Sequence, residues 1–178
     1  MAAKEVLDGM VYEKSSPLIN HARINRSISK IFGGYSLSAQ VYLDEKNQPI
    51  PDVMVFCNKD IVEGQNVAGV PDLIVEILSS STLKRDRVYK KDLYERHGVK
   101  EYWIVDDERL SVEVYRLEGR QYVLYDIFVI LPDHEVSGMN EGQIAEYPTR
   151  FKTSLFNDLT IDLKDVFQDV YENVFERS

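Results

Sequence analysis

The 178-residue sequence lacks several features that would assign it to a special class of protein. Its one cysteine, Cys57 in the apolar run VMVFCN, excludes multi-cysteine metal sites and internal disulfides, and predicts a buried thiol. No stretch approaches the roughly 18 consecutive apolar residues of a membrane span, and the first residues lack the apolar run of a signal peptide. These absences predict a soluble protein of a reducing, cytoplasmic compartment, without a membrane partner.

Positive charge is also scarce. The chain has 21 Lys and Arg against 30 Asp and Glu, and the formal net charge of -9 argues against a surface that binds nucleic acid over its whole extent. The segment 79–98 is a local exception, with six basic and three acidic residues. No repeat and no linker rich in Pro, Gly or Ser divides the chain, so we expect a single domain over residues 1–178.

Hydrophobic periodicity predicts an α/β protein. An extended arm is predicted around Val11 and Tyr12. It is followed by a helix (16–34), three strands (35–43, 50–57 and 70–78), a second helix (83–97), a strand (99–106) and a β-hairpin (111–127). Short connections favour an antiparallel meander of the first three strands, whereas strand, helix, strand implies a right-handed parallel crossover. A second apolar period predicts an amphipathic helix over 161–175, while residues 129–152 show no clear pattern.

The most informative stretch is VPDLIVEILSSST, residues 70–82, because it places Asp72 and Glu76 within a run that otherwise reads as a buried strand. Both acids lie on one face of that strand, but their Cα atoms are roughly 13 Å apart, too far to bind one ion. If the preceding strand runs antiparallel, Asp52 lies opposite Glu76 instead. Two carboxylates so close suit a Mg²⁺ or Mn²⁺ ion.

The second predicted helix supplies positive charge beside these acids. Asp86, Lys90 and Tyr94 recur every four residues, which places them near one helical face. A basic helix directly after an acidic strand offers what phosphodiester hydrolysis requires: a metal that activates water, and an ammonium group that stabilises the developing charge.

These residues resemble those of the Uma-two family of restriction endonucleases, a branch of the PD-(D/E)xK nuclease-like superfamily. The likeness covers PDLIVEILSSST, Asp86, Lys90, Tyr94 and GVKEYWIVD, and extends from GMVYE through IPDV to SLFNDLTIDLKDVF. It implies a restriction-endonuclease-like α/β fold, in which a mixed sheet formed by the meander, the crossover helix and further strands is flanked by helices. It also implies a metal-dependent endonuclease acting on DNA, with double-stranded DNA as the expected substrate and, by analogy, a homodimer.

The resemblance assigns roles residue by residue. It implies that Asp52 and Glu76 are the two motif acids and that His21 stands where family members often carry a histidine. The lysine expected two residues after Glu76 is replaced by Leu78, and Lys90 is its substitute on the next helix. The predicted catalytic residues are therefore Lys90, Glu76 and His21, and the predicted metal ligands are Asp52, Asp72 and Glu76.

Several alternatives stay open at this point. Asp72 is either a ligand or a hydrogen-bonding residue at the start of its strand, and Glu13 is an alternative acid from the N-terminal region. Asp106 and Asp107 are better explained by turn chemistry than by metal binding. The missing lysine and the acidic composition favour a rival function, in which a catalytically inactive nuclease fold binds nucleic acid or protein.

Overall fold

The structure is a computed structural model that describes residues 3–14, 16–37, 39–58, 62–63 and 66–170. In chain order its elements are β1 (Lys4–Leu7), β2 (Met10–Glu13), α1 (Ile19–Phe32), β3 (Ser36–Leu37), β4 (Val41–Tyr42), β5 (Val53–Val55), β6 (Val62–Glu63), β7 (Asn66–Ala68), β8 (Leu73–Ile77), a π-helix (Arg85–Lys90) that continues into α2 (Lys91–Arg96), β9 (Glu101–Asp106), β10 (Ser111–Glu118), β11 (Gln121–Val129), α3 (Asp133–Val136), α4 (Glu141–Ala145), β12 (Arg150–Lys152), β13 (Thr160–Asp162) and α5 (Leu163–Val166). We call Arg85–Arg96 the crossover helix.

Six strands form the central sheet, in the spatial order β11, β10, β9, β8, β5, β3. Strands β8 and β9 are parallel and are joined by the crossover helix, whereas every other neighbouring pair is antiparallel. The predicted meander of three strands and the predicted parallel crossover are both confirmed, and the fold is a mixed α/β architecture.

The apolar residues of β8 face two separate cores because side chains alternate along a strand. Val75 packs with Ile24 and Ile28 of α1, on the side that also holds α5. Ile74 packs with Leu93 and Tyr94 of the crossover helix. The sheet is therefore covered by helices on both faces, which explains why β8 and β9 read as nearly continuous apolar runs.

Two expectations about the first half of the chain are wrong. The strand predicted over 35–43 is two short pieces, in which β3 pairs with β5 while β4 pairs with β7 in a separate three-stranded sheet. Between the two pieces, the Gln40 side chain donates hydrogen bonds to the carbonyls of Lys4 and Gln48, outside the central sheet. Cys57 is exposed rather than buried, because it follows the end of β5 and leaves the core.

The other expectations concern the two ends of the chain. The extended arm is a β-hairpin of β1 and β2, and it lies against the segment 46–48, where Val6 pairs with Gln48. The helix predicted over 161–175 begins as α5, and residues 171–178 lie outside the described part. Within the described ranges, no helix is long and apolar enough to cross a bilayer.

Candidate active site

A cavity of about 570 Å³ opens where β8 ends and β5 begins. The hairpin and the segment that follows it form one wall, α1 forms a second, and the first turns of the crossover helix form a third. The charged residues along these walls are Glu5, Glu13, Lys14, His21, Asp52, Glu76, Arg85, Asp86 and Lys90. Four of the five site residues predicted from the sequence, all except Asp72, line this one cavity.

Asp52 lies directly before β5, where the register of Val53 with Val75 places it opposite Glu76. Its Oδ1 is 2.8 Å from Lys14 Nζ, and its Oδ2 is 3.1 Å from His21 Nε2 and accepts a 2.8 Å hydrogen bond from the Ile77 backbone N–H. Burial raises the pKa of this carboxyl, but the hydrogen bond from His21 and the Lys14 ammonium outweigh burial and hold the pKa well below its usual range. Asp52 is therefore a stable carboxylate.

Glu76 is the second acid of the cavity and is 2% exposed. Its Oε1 accepts hydrogen bonds from Lys90 Nζ at 3.0 Å and from the Tyr94 hydroxyl at 2.7 Å. Burial raises the pKa of Glu76 to about 8; the Lys90 ammonium opposes this rise, while the charges of Asp86 and Asp52 add to it. Two neighbouring acids thus have pKa values shifted in opposite directions, an arrangement typical of functional sites.

Lys90 reaches the cavity from the π-helical part of the crossover helix, a geometry often found at functional sites. Its Nζ lies 3.0 Å from Glu76 Oε1, 3.2 Å from Glu5 Oε2 and 3.6 Å from Asp86 Oδ1. Burial lowers the pKa of Lys90, but the surrounding carboxylates outweigh burial and raise it above its usual range. The ammonium group is therefore a permanent positive charge inside the cavity.

The structure adds residues that sequence reasoning missed. Glu5 of β1 contacts Lys90, and Lys14, directly after β2, contacts Asp52. Arg85 lies 3.4 Å from Glu5. No sequence signal could have found Glu5 or Lys14, because the contacts depend on the packing of distant segments. Glu5 rather than the alternative Glu13 is the buried acid of the hairpin.

Asp72 does not join the cavity. It lies before the first residue of β8, whereas Glu76 lies near the end of this strand, and it is not among the residues that line the cavity. The Asp72 carboxylate accepts hydrogen bonds from Lys100 Nζ at 2.7 Å and from the Cys57 backbone N–H at 2.8 Å. The geometry thus supports hydrogen bonding at a strand start and does not support a ligand role beside Glu76. Asp106 accepts from the backbone N–H groups of Glu108 and Arg109, as turn chemistry predicts.

The donor atoms of the cavity fit a small divalent cation. Among the described residues no group of three or more His, Cys, Asp or Glu side chains is arranged to hold a metal. Mg²⁺ is commonly bound by one or two carboxylates together with waters and substrate phosphates, and Asp52 and Glu76 are two carboxyl groups that line the cavity. In addition, the buried Asp86 Oδ1 accepts no hydrogen bond from the described residues, and its one described ionic neighbour at that atom is the Lys90 ammonium at 3.6 Å.

The fold and the cavity together define a restriction-endonuclease-like α/β protein. The chain belongs to the Uma2 family, whose description is "Putative restriction endonuclease" and whose family model matches residues 2–141. Among solved structures, a putative nuclease of the DUF820 family from Anabaena variabilis superposes with a TM-score of 0.68, covering 94% of this chain and 90% of that one at 19% identity.

Two curated proteins are also similar to this chain in sequence. An uncharacterized protein of Synechocystis is 28% identical over 123 residues, covering 62% of this chain and 64% of the relative. A UPF0597 protein of Clostridium tetani is 28% identical over 165 residues, covering 86% of this chain and 38% of the relative. The chain therefore spans less than two thirds of the length of either relative.

Proposed function

We propose that the protein is an endonuclease that hydrolyses phosphodiester bonds of DNA with the help of Mg²⁺ or Mn²⁺. The observation that carries the proposal is the convergence of Asp52, Glu76 and Lys90, from three separate elements, in one cavity. Membership of the Uma2 family supports a nuclease activity, and the fold of the Anabaena neighbour agrees with it.

Asp52 and Glu76 would hold the metal ion, which when bound polarises a phosphoryl oxygen and activates a water molecule. Lys90 would stabilise the negative charge that develops on the phosphoryl group, and the ammonium would also orient the attacking water. Because its pKa is raised, Lys90 acts as a fixed cation and not as a base. His21 would act through Asp52, since its Nε2 hydrogen-bonds Oδ2 and orients that carboxylate.

The position of Leu78 supports Lys90 as the lysine of the motif. Leu78 is 6% exposed and packs in the apolar core, so it supplies no polar group to the cavity. A lysine from the next helix nevertheless reaches Glu76 at 3.0 Å. This contact supports a catalytic role of Lys90 although the lysine does not stand at the expected sequence spacing.

The proposal is tested by incubating the protein with plasmid DNA and with labelled oligonucleotides in Mn²⁺, Mg²⁺ or EDTA. We expect cleavage in either metal and none in EDTA, with Glu76→Ala and Lys90→Ala each reducing the rate by at least about 100-fold. Asp72→Asn is the matched control and should cleave like the wild type. Cleavage that persists in EDTA or in Glu76→Ala would refute this mechanism, and folded protein without cleavage would favour the inactive module.

A further inference from the structure

We propose that the DNA strand enters the cavity unpaired, so that single strands and unpaired ends or flaps are cut in preference to continuous duplex. The inference rests on the proposed nuclease function and defines its substrate class. It departs from the double-stranded substrate that the resemblance to restriction endonucleases implies, and it follows from the depth, walls, charge and rim of the cavity.

The reactive groups lie at the bottom of the cavity. The exposed fractions are 4% for Asp52, 2% for Glu76 and 3% for Lys90. A phosphate that approaches these groups must therefore enter the cavity, whose volume of about 570 Å³ lies within the usual range for small ligands. A stiff double helix cannot insert one phosphate in this way without local unpairing or bending, whereas an unpaired strand needs neither.

The hairpin wall is fixed in place and is not a free-standing loop. Leu7 at the end of β1 is 1% exposed and packs in the core. Asp8 donates its backbone N–H to Asn47 Oδ1 at 2.9 Å, and Val6 and Gln48 exchange two backbone hydrogen bonds. Lys14 closes the wall further by donating to both the Ile50 carbonyl and Asp52. These contacts hold the hairpin and Lys14 in place at this wall of the cavity.

The cavity has few basic residues: Lys14, Arg85 and Lys90 line it together with a larger number of acids. A protein that binds duplex uses many Lys and Arg contacts to phosphates. On the crossover helix, five of the basic residues are already engaged: Arg85 with Glu5, Arg87 with Glu113, Lys90 with Glu76, Lys91 over the Tyr115 ring and Arg96 with Asp92. Lys14 and Arg85 are paired with Asp52 and Glu5, but each keeps 26% of its side chain exposed at the cavity wall, which suits contact with the few phosphates of one strand.

The rim offers apolar surface, which suits bases rather than the outside of a duplex. Leu18 and Ile19 are 73% and 72% exposed and lie in the chain between Pro17 and His21, which both line the cavity. Tyr12 lies on the hairpin side with its ring 4.3 Å from the guanidinium of Arg85. Apolar and aromatic side chains contact unstacked bases of single strands irrespective of sequence. In a continuous duplex those base faces are stacked and hidden.

One labelled oligonucleotide is tested in three forms in Mn²⁺: alone, fully paired, and paired to a shorter complement that leaves a tail. We expect the single strand and the tail to be cut at least tenfold faster than the fully paired form, with cuts confined to the unpaired part. Equal or faster cleavage of the fully paired form overturns the inference while leaving the nuclease proposal intact. If no form is cut, the nuclease proposal fails. Fluorescence anisotropy of the three forms in Ca²⁺ then decides the inference. Tighter binding of unpaired strands supports it, and equal or tighter binding of the duplex overturns it.

A second measurement tests the rim. The double variant Leu18→Ser with Ile19→Ser is compared with Val123→Ser with Ile127→Ser, an exposed apolar pair on β11 that does not line the cavity. We expect the rim variant to raise KM for the single strand at least fivefold without changing kcat or the melting temperature, and the β11 variant to behave like the wild type. An unchanged KM in the rim variant contradicts the assigned role of the rim.

Discussion

The dipeptide Pro-Asp stands directly before two strands of the central sheet, β5 and β8, and these two copies have opposite environments. Asp52 is 4% exposed and is held by Lys14, His21 and the Ile77 backbone N–H in the cavity. Asp72 pairs with Lys100, whose side chain is 66% exposed, outside the cavity. The same two residues at the same local position thus produce a candidate metal ligand in one case and a strand-start hydrogen-bond acceptor in the other.

Strand direction causes this difference. Because β5 and β8 are antiparallel, the beginning of β5 lies beside the end of β8, and the two Pro-Asp copies lie at opposite ends of the pair. Only Asp52 therefore meets Glu76 and the crossover helix. The sequence motif identifies both acids, but the sheet decides which one has a partner.

The largest expected effect compares the two aspartates directly. Asp52→Asn should lower Mn²⁺-dependent cleavage by about 100-fold or more, because an amide is a poor substitute for an anionic metal ligand. Asp72→Asn should stay within about threefold of the wild type, since it does not line the cavity. The measurement is the initial rate of oligonucleotide cleavage, with circular dichroism to check folding. Equal losses in both variants would show that the distinction between the two acids is wrong.

Much of this comparison was predictable from the sequence. Short connections predicted the antiparallel pairing of the strands, which places Asp52 opposite Glu76. The spacing of Asp86, Lys90 and Tyr94 predicted which face of the helix meets these two acids. The distant hairpin was not predictable. Glu5 and Lys14 approach the cavity through contacts of β1 and β2 with 46–50, and local periodicity carries no signal for such packing. The split of the strand over 35–43 was missed for the same reason, since tertiary pairing overrode β propensity.

The next prediction compares the lysine partners at the two ends of β8. Lys90→Met should lower the free energy of unfolding by about 3 kcal/mol, because removing one partner of a buried ionic cluster leaves the other charges uncompensated. Lys100→Met should cost at most about 1 kcal/mol, because its ion pair with Asp72 is largely solvated. Urea unfolding of both variants measures the difference. A Lys90→Met protein as stable as the Lys100→Met protein would contradict the buried network.

A third prediction concerns pH and uses the raised pKa of Glu76. Between pH 4.5, the ordinary value, and about 8, the folded protein retains a proton on Glu76 that the unfolded chain releases. The free energy of unfolding therefore keeps the full contribution of protonated Glu76 below pH 4.5 and loses it as pH rises towards 8. Glu76→Gln removes it, so the variant should gain stability relative to the metal-free wild type from pH 5 to pH 8 in urea unfolding. A constant difference over this range would contradict the raised pKa.

The smallest effect is expected in acid from Asp72, the copy that lies outside the cavity. Burial raises the pKa of Asp72, but the hydrogen bond from Lys100 and that from the Cys57 backbone outweigh it and lower the pKa below 3.8. Its contribution to stability is therefore present above the ordinary pKa and is lost as pH falls through the folded value. Asp72→Asn should cost no more than about 1 kcal/mol at pH 7, since the exposed ion pair is weak and an amide oxygen still accepts from Cys57. The difference between variant and wild type should shrink as pH falls through the lowered pKa of Asp72, and a loss that stays constant into acid would mean that packing, not charge, distinguishes Asp72.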